Sequence, residues 1–111
     1  MTRQFIELDF FRKCWAALGL DDDALNSLEQ ELLANPDIGA VMPGCGGARK
    51  ARIALPGQGK SGSVRVIYVD FILQERVFFL FAYPKSKQKT LTAKQKQYVR
   101  DMVKAIKAKG E

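Results

Sequence analysis

Apolar positions recur along the chain with two different periods, and the changes of period divide it into elements. From Phe11 onward, Phe11, Cys14, Trp15 and Leu18 fall at i, i+3, i+4 and i+7, one face of a helix that Gly19 ends. Asp21 to Asp23 offer a cap and negative charge to the first turn of a second helix, whose stripe is Leu25, Leu28 and Leu32. Asn35-Pro36 stops it. Ahead of both helices, residues 3–8 (RQFIEL) read as a short first strand. Residues 35–47 (NPDIGAVMPGCGG) are rich in Gly and Pro without alternation, which marks an ordered connection rather than an element.

The period then drops to two. Arg49 to Leu55 places Ile53 and Leu55 on one face and Lys50 and Arg52 on the other, the pattern of a strand buried on one side. PGQGKSGS, residues 56–63, reads as a flexible basic loop, and VRVIYVDFI, residues 64–72, as a strand rich in β-branched and aromatic residues. Gln74-Glu75-Arg76 turns the chain into VFFLFAY, which is apolar on both faces and therefore belongs in the middle of the sheet. After PKSKQK, the box Thr92-x-x-Gln95 caps a last helix with Val99, Met102, Val103 and Ile106 as its apolar stripe. The order is β-α-α-β-β-β-α, a single α+β domain over residues 1–111 with a mostly antiparallel four-stranded sheet packed by helices.

Composition narrows the chemistry. With 111 residues, 47% of them apolar, the chain suffices for one core and leaves no room for a second. It contains no histidine, which removes the one side chain whose ordinary pKa lies near neutrality and the commonest metal ligand. Cys14 and Cys45 alone make neither a structural zinc site nor a disulfide framework, so a reduced cytoplasmic setting without metal or other cofactor is expected. The longest apolar run, Val77 to Tyr83, is too short to span a bilayer, and no membrane role is expected. The net charge of +6 conceals a division. Residues 1–40 carry three basic and eight acidic side chains, net −5, whereas residues 41–111 carry fifteen basic and four acidic, net +11. One part of the fold is thus suited to a polyanion.

A phosphate-loop pattern, Ala54-x-x-x-x-Gly59-Lys60-Ser61, lies between strands rather than opening a helix, which is the context nucleotide hydrolysis needs. Its glycines and Lys60 remain suited to a nucleic-acid backbone. If the hairpin closes with Leu55 opposite Val64, then Ala54 faces Arg65, and Arg52 and Arg65 become diagonal neighbours on one face. Arg49 and Lys50 at the strand entrance, Lys60 at the tip and Lys85 and Lys87 beyond the last strand would surround this cationic floor. Tyr83 would add a hydroxyl or a stacking ring.

In order along the chain, Asn35-Pro36-x-x-Gly39, GCGGARKAR (44–52), GKSGSVRVIYV (59–69), FAYPKS and the LTAKQ opening of the last helix resemble the HigB-like branch of the RelE/ParE toxin superfamily. The likeness spans about two-thirds of the chain, and the acidic first helices match only in pattern. It implies the toxin of a type II toxin–antitoxin pair, a metal-independent endoribonuclease (mRNA interferase) that cuts messenger RNA on the ribosome. The 2′-OH attacks the adjacent phosphate, leaving a 2′,3′-cyclic phosphate and a 5′-OH. Carried over by motif, Arg52, Arg65, Lys85 and Tyr83 form the catalytic set, and Arg49, Lys50, Lys60 and Lys87 hold RNA. The implied partners are the ribosome, its mRNA and an antitoxin, HigA-like with a helix-turn-helix domain. The sequence departs from the wider pattern at Ala54, where a second strand lysine is expected, and lacks a tyrosine in KQKTLT.

Without histidine, the developing charge must fall to arginine, and a general base must be a Lys or Tyr of lowered pKa or lie outside the chain. Slow or absent cleavage of free RNA is therefore expected. Two other readings stay open on the same residues: a ParE-like gyrase inhibitor acting by binding, and a non-catalytic RNA-binding module.

Overall fold

Two helical layers enclose a twisted sheet in the computed structural model, which describes residues 2–55, 59–88 and 90–110, with the side chains at 54–55, 59–62 and 110 left aside. The elements in chain order are β1 (Gln4–Glu7), α1 (Asp9–Ala17), α2 (Asp22–Ala34), β2 (Ala40–Val41), β3 (Arg49–Leu55), β4 (Gly59–Phe71), β5 (Arg76–Pro84) and α3 (Ala93–Gly110). A single 3-10 turn, Ile72–Gln74, and Glu75 in the left-handed region (φ 55°) join β4 to β5. The sheet order is β1-β5-β4-β3-β2, with β1 parallel to β5 and the other pairs antiparallel.

Local chemistry sets the ends of the helices. The Asp21 carboxylate accepts a hydrogen bond from the Ala24 amide at 2.9 Å and caps α2. At α3 the expected box forms reciprocally: the Gln95 amide donates to Thr92 Oγ1 at 3.1 Å and the Thr92 amide to Gln95 Oε1 at 2.9 Å. Among the described residues, no helix is long and apolar enough to cross a membrane.

Each face of the sheet has its own apolar cluster. Helices α1 and α2 bury Phe11, Trp15, Leu25, Leu28 and Leu32 against Ala51, Val64, Val66, Tyr68, Val77 and Phe79. On the reverse face, Leu91, Val99 and Val103, together with Met42, Cys45 and Ala48 of the β2–β3 connection, cover Ile67, Val69, Phe78, Leu80, Phe81 and Tyr83. Gly46 seats that connection on α3: its φ is +69°, and a Cβ there would lie 2.9 Å from Val103 Cγ1. Val77 to Tyr83 are all buried, as the two-sided apolar run predicts for an interior strand; β5 lies between β1 and β4, and the middle of the sheet is β4.

Three details depart from the sequence reading. The sheet has a fifth strand, β2, only two residues long. Strand β4 begins at Gly59 rather than Val64, because Leu55 pairs with Gly59 and carries the ladder through what reads as loop. Residues 56–58 of that expected loop lie outside the described residues. The β3–β4 register is also shifted by two, placing Val64 opposite Ile53. An even shift preserves the face of every side chain, so the predicted inward and outward positions hold while the cross-strand partners change.

Candidate functional site

Opposed residues on antiparallel strands share a face of the sheet. Arg52 lies directly opposite Arg65, and Arg65 directly opposite Tyr83, so the three form one row across β3, β4 and β5. The two arginines are thus direct rather than diagonal neighbours, which corrects the register expected from the sequence. The next row is Lys50, Ile67 and Phe81. Both rows lie on the face that α3 partly covers, whereas Ala51, Val64 and Val66 of the same strands enter the α1–α2 core.

A β-bulge brings Tyr83 into this row. Ile67 pairs with Phe81 and Tyr68 with Phe79, so Leu80 is the extra residue on β5. Without it, Ala82 would stand opposite Arg65 and Tyr83 would turn toward the helices.

The row concentrates positive charge. Like charges directly opposed on a sheet cost up to about 1 kcal/mol. Among the described residues, the ion pairs are Arg3 with Asp70 (2.8 Å) and Arg49 with Asp37 (3.3 Å), and neither neutralises Arg52 or Arg65. Arg65 Nη1 donates to Ser63 Oγ at 3.3 Å, which steers the guanidinium along the strand. Arg52 is exposed and Arg65 half-buried, an arrangement that leaves a phosphate room to reach both.

Tyr83 is 3% exposed, and its hydroxyl has no hydrogen-bond partner among the described residues. A buried hydroxyl left unpaired costs about 1–3 kcal/mol, so a polar atom brought to it would recover that cost. Burial pushes the phenol's pKa above its usual value, and the nearby Arg65 guanidinium only partly opposes this. The shift is opposite to what a general base needs. In this environment the Tyr83 phenol keeps its proton at neutral pH.

The remaining predicted residues separate. Lys85 is half-buried in the turn after β5, and its amide donates to the Ser63 carbonyl at 3.1 Å, which holds it beside the row. Lys87, exposed, follows on the same turn. Lys50 is half-buried on the site face, one row away. The side chain of Lys60 lies outside the described residues, as does that of Ala54.

Arg49 is not part of the constellation. It stands opposite Tyr68, on the helical face, where its Nη1 donates to the Gly39 carbonyl at 2.8 Å. Tyr68 Oη donates to the Pro36 carbonyl at 2.6 Å and accepts from the Gly39 amide at 3.1 Å. A Cβ at Gly39 would lie 2.9 Å from the Lys50 backbone and from Tyr68 Cε1, so only glycine fits this crossing. The Asn35-Pro36-x-x-Gly39 motif and Arg49 are therefore structural, bracing the turn that leads to β2. Ser63 escaped the sequence reading because its one signal, a spacing of two from Arg65, becomes meaningful only once residues 59–63 are known to be strand.

A family model described as the RelE toxin of the RelE/RelB toxin-antitoxin system matches residues 10–111. Among solved structures, a mutant of the E. coli toxin RelE in the free state aligns with a TM-score of 0.56 at 18% identity, covering 80% of this chain and 90% of that one. At that identity the structural likeness is one of fold, and it agrees with the α+β architecture expected from the sequence.

Proposed function

Because the chain belongs to the RelE toxin family, and so is the toxin partner of an antitoxin, we propose that it is an mRNA endoribonuclease that cuts on the ribosome. The observation that carries this reading is the row Arg52–Arg65–Tyr83, two opposed arginines ending on a buried hydroxyl that has no partner among the described residues. In the proposed reaction the ribose 2′-oxygen attacks the adjacent phosphorus as the bond to the 5′-oxygen breaks, giving a 2′,3′-cyclic phosphate and a 5′-OH. Arg52 and Arg65 hold the non-bridging oxygens and stabilise the charge that builds on them, an effect worth about 3 kcal/mol for one preorganised donor. Tyr83 gives its proton to the departing 5′-oxygen. The 2′-OH proton passes to water, from which the tyrosinate is reprotonated. Lys85 reinforces the field at the scissile phosphate, and Lys50, Lys60 and Lys87 hold the flanking backbone.

Alignment of the attacking oxygen is left to the ribosome in this scheme, because the row has cations and an acid but no base. The motif order along residues 35–95 further supports the HigB-like branch and a HigA-like antitoxin with a helix-turn-helix domain. The site of action is the cytoplasm.

Mapping mRNA ends after brief induction, beside a DNA-damage reporter, tests the reading. New 5′-OH ends within translated codons, absent for Arg65→Gln, are expected. Damage signalling without new ends would replace the nuclease with a gyrase inhibitor, and rapid cleavage of naked RNA by the purified protein would remove the ribosome from the scheme.

A further inference from the structure

Beyond β5, where β1 ends at Glu7, the site face continues into an open groove of about 240 Å³ lined by Phe10, Phe81, Lys94, Gln95 and Tyr98. It adjoins the catalytic row: the rings of Tyr83 and Phe81 are 5.5 Å apart, those of Phe81 and Phe10 5.4 Å and nearly parallel, and Phe10 meets Tyr98 edge-on at 5.1 Å. Phe10 stands at the start of α1 and is 44% exposed, although Phe81 behind it is almost wholly covered. An exposed ring stacked on a buried one completes a platform with one face still open to solvent.

Three properties define what fits there. Aromatic rings form the floor and wall, so the occupant has a flat π face. Lys94 is the charged group of the lining, and no carboxylate is among the lining residues, so the occupant belongs to an anion. The volume lies below the roughly 300–1,000 Å³ of sites for whole small ligands, which suits one planar ring presented from a chain. A nucleobase on a phosphate backbone meets all three.

We infer that this groove is a base-stacking subsite. The nucleotide next to the phosphate held by Arg52 and Arg65 lays its base on Phe10, with Lys94 facing the following phosphate. This rests on the RNA-cleaving reading and adds to it a platform that holds the strand by a base as well as by its charge. Such stacking tolerates any base, so it fixes position along the strand more than sequence.

The test uses a fluorescent single-stranded 2′-O-methyl oligoribonucleotide, which cannot be cut, with and without one abasic residue, and reads the Kd by anisotropy over a range of salt. Phe10→Leu keeps the apolar volume and removes the ring, so its melting temperature should match that of the parent; Phe10→Ala is the stronger version. Either variant should weaken binding of intact RNA by about tenfold without changing the slope of log K against log salt. The abasic strand should bind parent and variant alike, because the ring and the base are then lost as a pair. Arg65→Gln should instead reduce the salt slope. Unchanged RNA affinity in both Phe10 variants, with the Arg65 dependence intact, overturns the subsite and leaves the nuclease reading standing. Failure of the parent to bind RNA at any salt overturns the subsite, whereas the nuclease reading falls separately, on the absence of new mRNA ends after induction. If the Phe10 variants keep their RNA affinity and lose the antitoxin, the groove is a protein-docking site and the inference is wrong.

Discussion

The two faces of the sheet are made by the same strands and finished in opposite ways. On the face covered by α1 and α2 the polar groups are tied into the fold: Tyr68 bridges Pro36 and Gly39, and Arg49 closes over the same turn onto Gly39 and Asp37. On the other face, at the end of the sheet that α3 leaves open, Arg52 opposes Arg65 and the Tyr83 hydroxyl is buried without a partner among the described residues. The contrast separates residues that hold the domain together from residues arranged for a group the domain does not supply. Residue type does not make that separation, since Arg49 and Arg52 are both basic residues of β3; only their offset of three, which sets them on opposite faces of the strand, carries it in the sequence.

Substitutions on the two faces should therefore fail in different measurements. The largest effect belongs to Arg65→Gln, which should lower ribosome-dependent cleavage by about a hundredfold while circular dichroism stays unchanged. Cleavage at the parental rate would remove Arg65 from the site. Leu28→Ala, in the sealed core under α2, should cost about 3 kcal/mol in urea unfolding with little change in cleavage by the folded fraction.

Tyr68→Phe comes next, at about 1–2 kcal/mol, because it leaves the Pro36 carbonyl and the Gly39 amide unpaired in the interior. It also has a pH signature. Burial raises the Tyr68 pKa above its usual value near 10, and the Gly39 amide and the Arg49 charge only partly offset this. The folded protein thus holds this proton after the unfolded chain has released it, and stability must fall as pH rises from the unfolded value through the folded one. Urea midpoints measured from neutrality into that alkaline range should fall less steeply for Tyr68→Phe than for the parent. Parallel curves would mean that Tyr68 titrates alike in both states. The smallest effect returns to Arg65→Gln, which relieves the repulsion from Arg52 and should raise stability by a few tenths of a kcal/mol in low salt. A fall in stability would mean that the opposed arginines support each other through a bound anion.

Much of the sealed face was legible in the sequence, because its signals are local. The stripes of α1 and α2 and the limits of β3 follow from periodicity within a few residues; beyond that face, the Thr92–Gln95 box follows from capping and the interior place of β5 from its two-sided apolar run. The open face depended on pairing between strands. Nothing in the Gly- and Ser-rich stretch 59–63 has the composition of a strand, and it becomes one because β3 offers a ladder to continue. VFFLFAY has no alternation to fix a register, so neither the bulge at Leu80 nor the side on which Tyr83 emerges could be read from it. Phe10 carried no signal for a related reason: one apolar residue ahead of a helical stripe gains significance only when Phe81 is found beneath it.

The bond between Arg3 and Asp70 has a consequence for the order in which the domain is made. Arg3 reaches from just before β1 to the end of β4, and beside it Gln4 pairs with Arg76 in the parallel ladder. Contacts so distant along the chain close a large loop, and they can form only late in folding. On a growing polypeptide β1, α1 and α2 emerge first, and their apolar faces are fully covered only when one last strand follows β3 and β4. That strand, β5, also carries Tyr83. The step that lets the first third of the chain find its place is the same one that completes the Arg52–Arg65–Tyr83 row, so a partly synthesised chain has neither a closed core nor an assembled site.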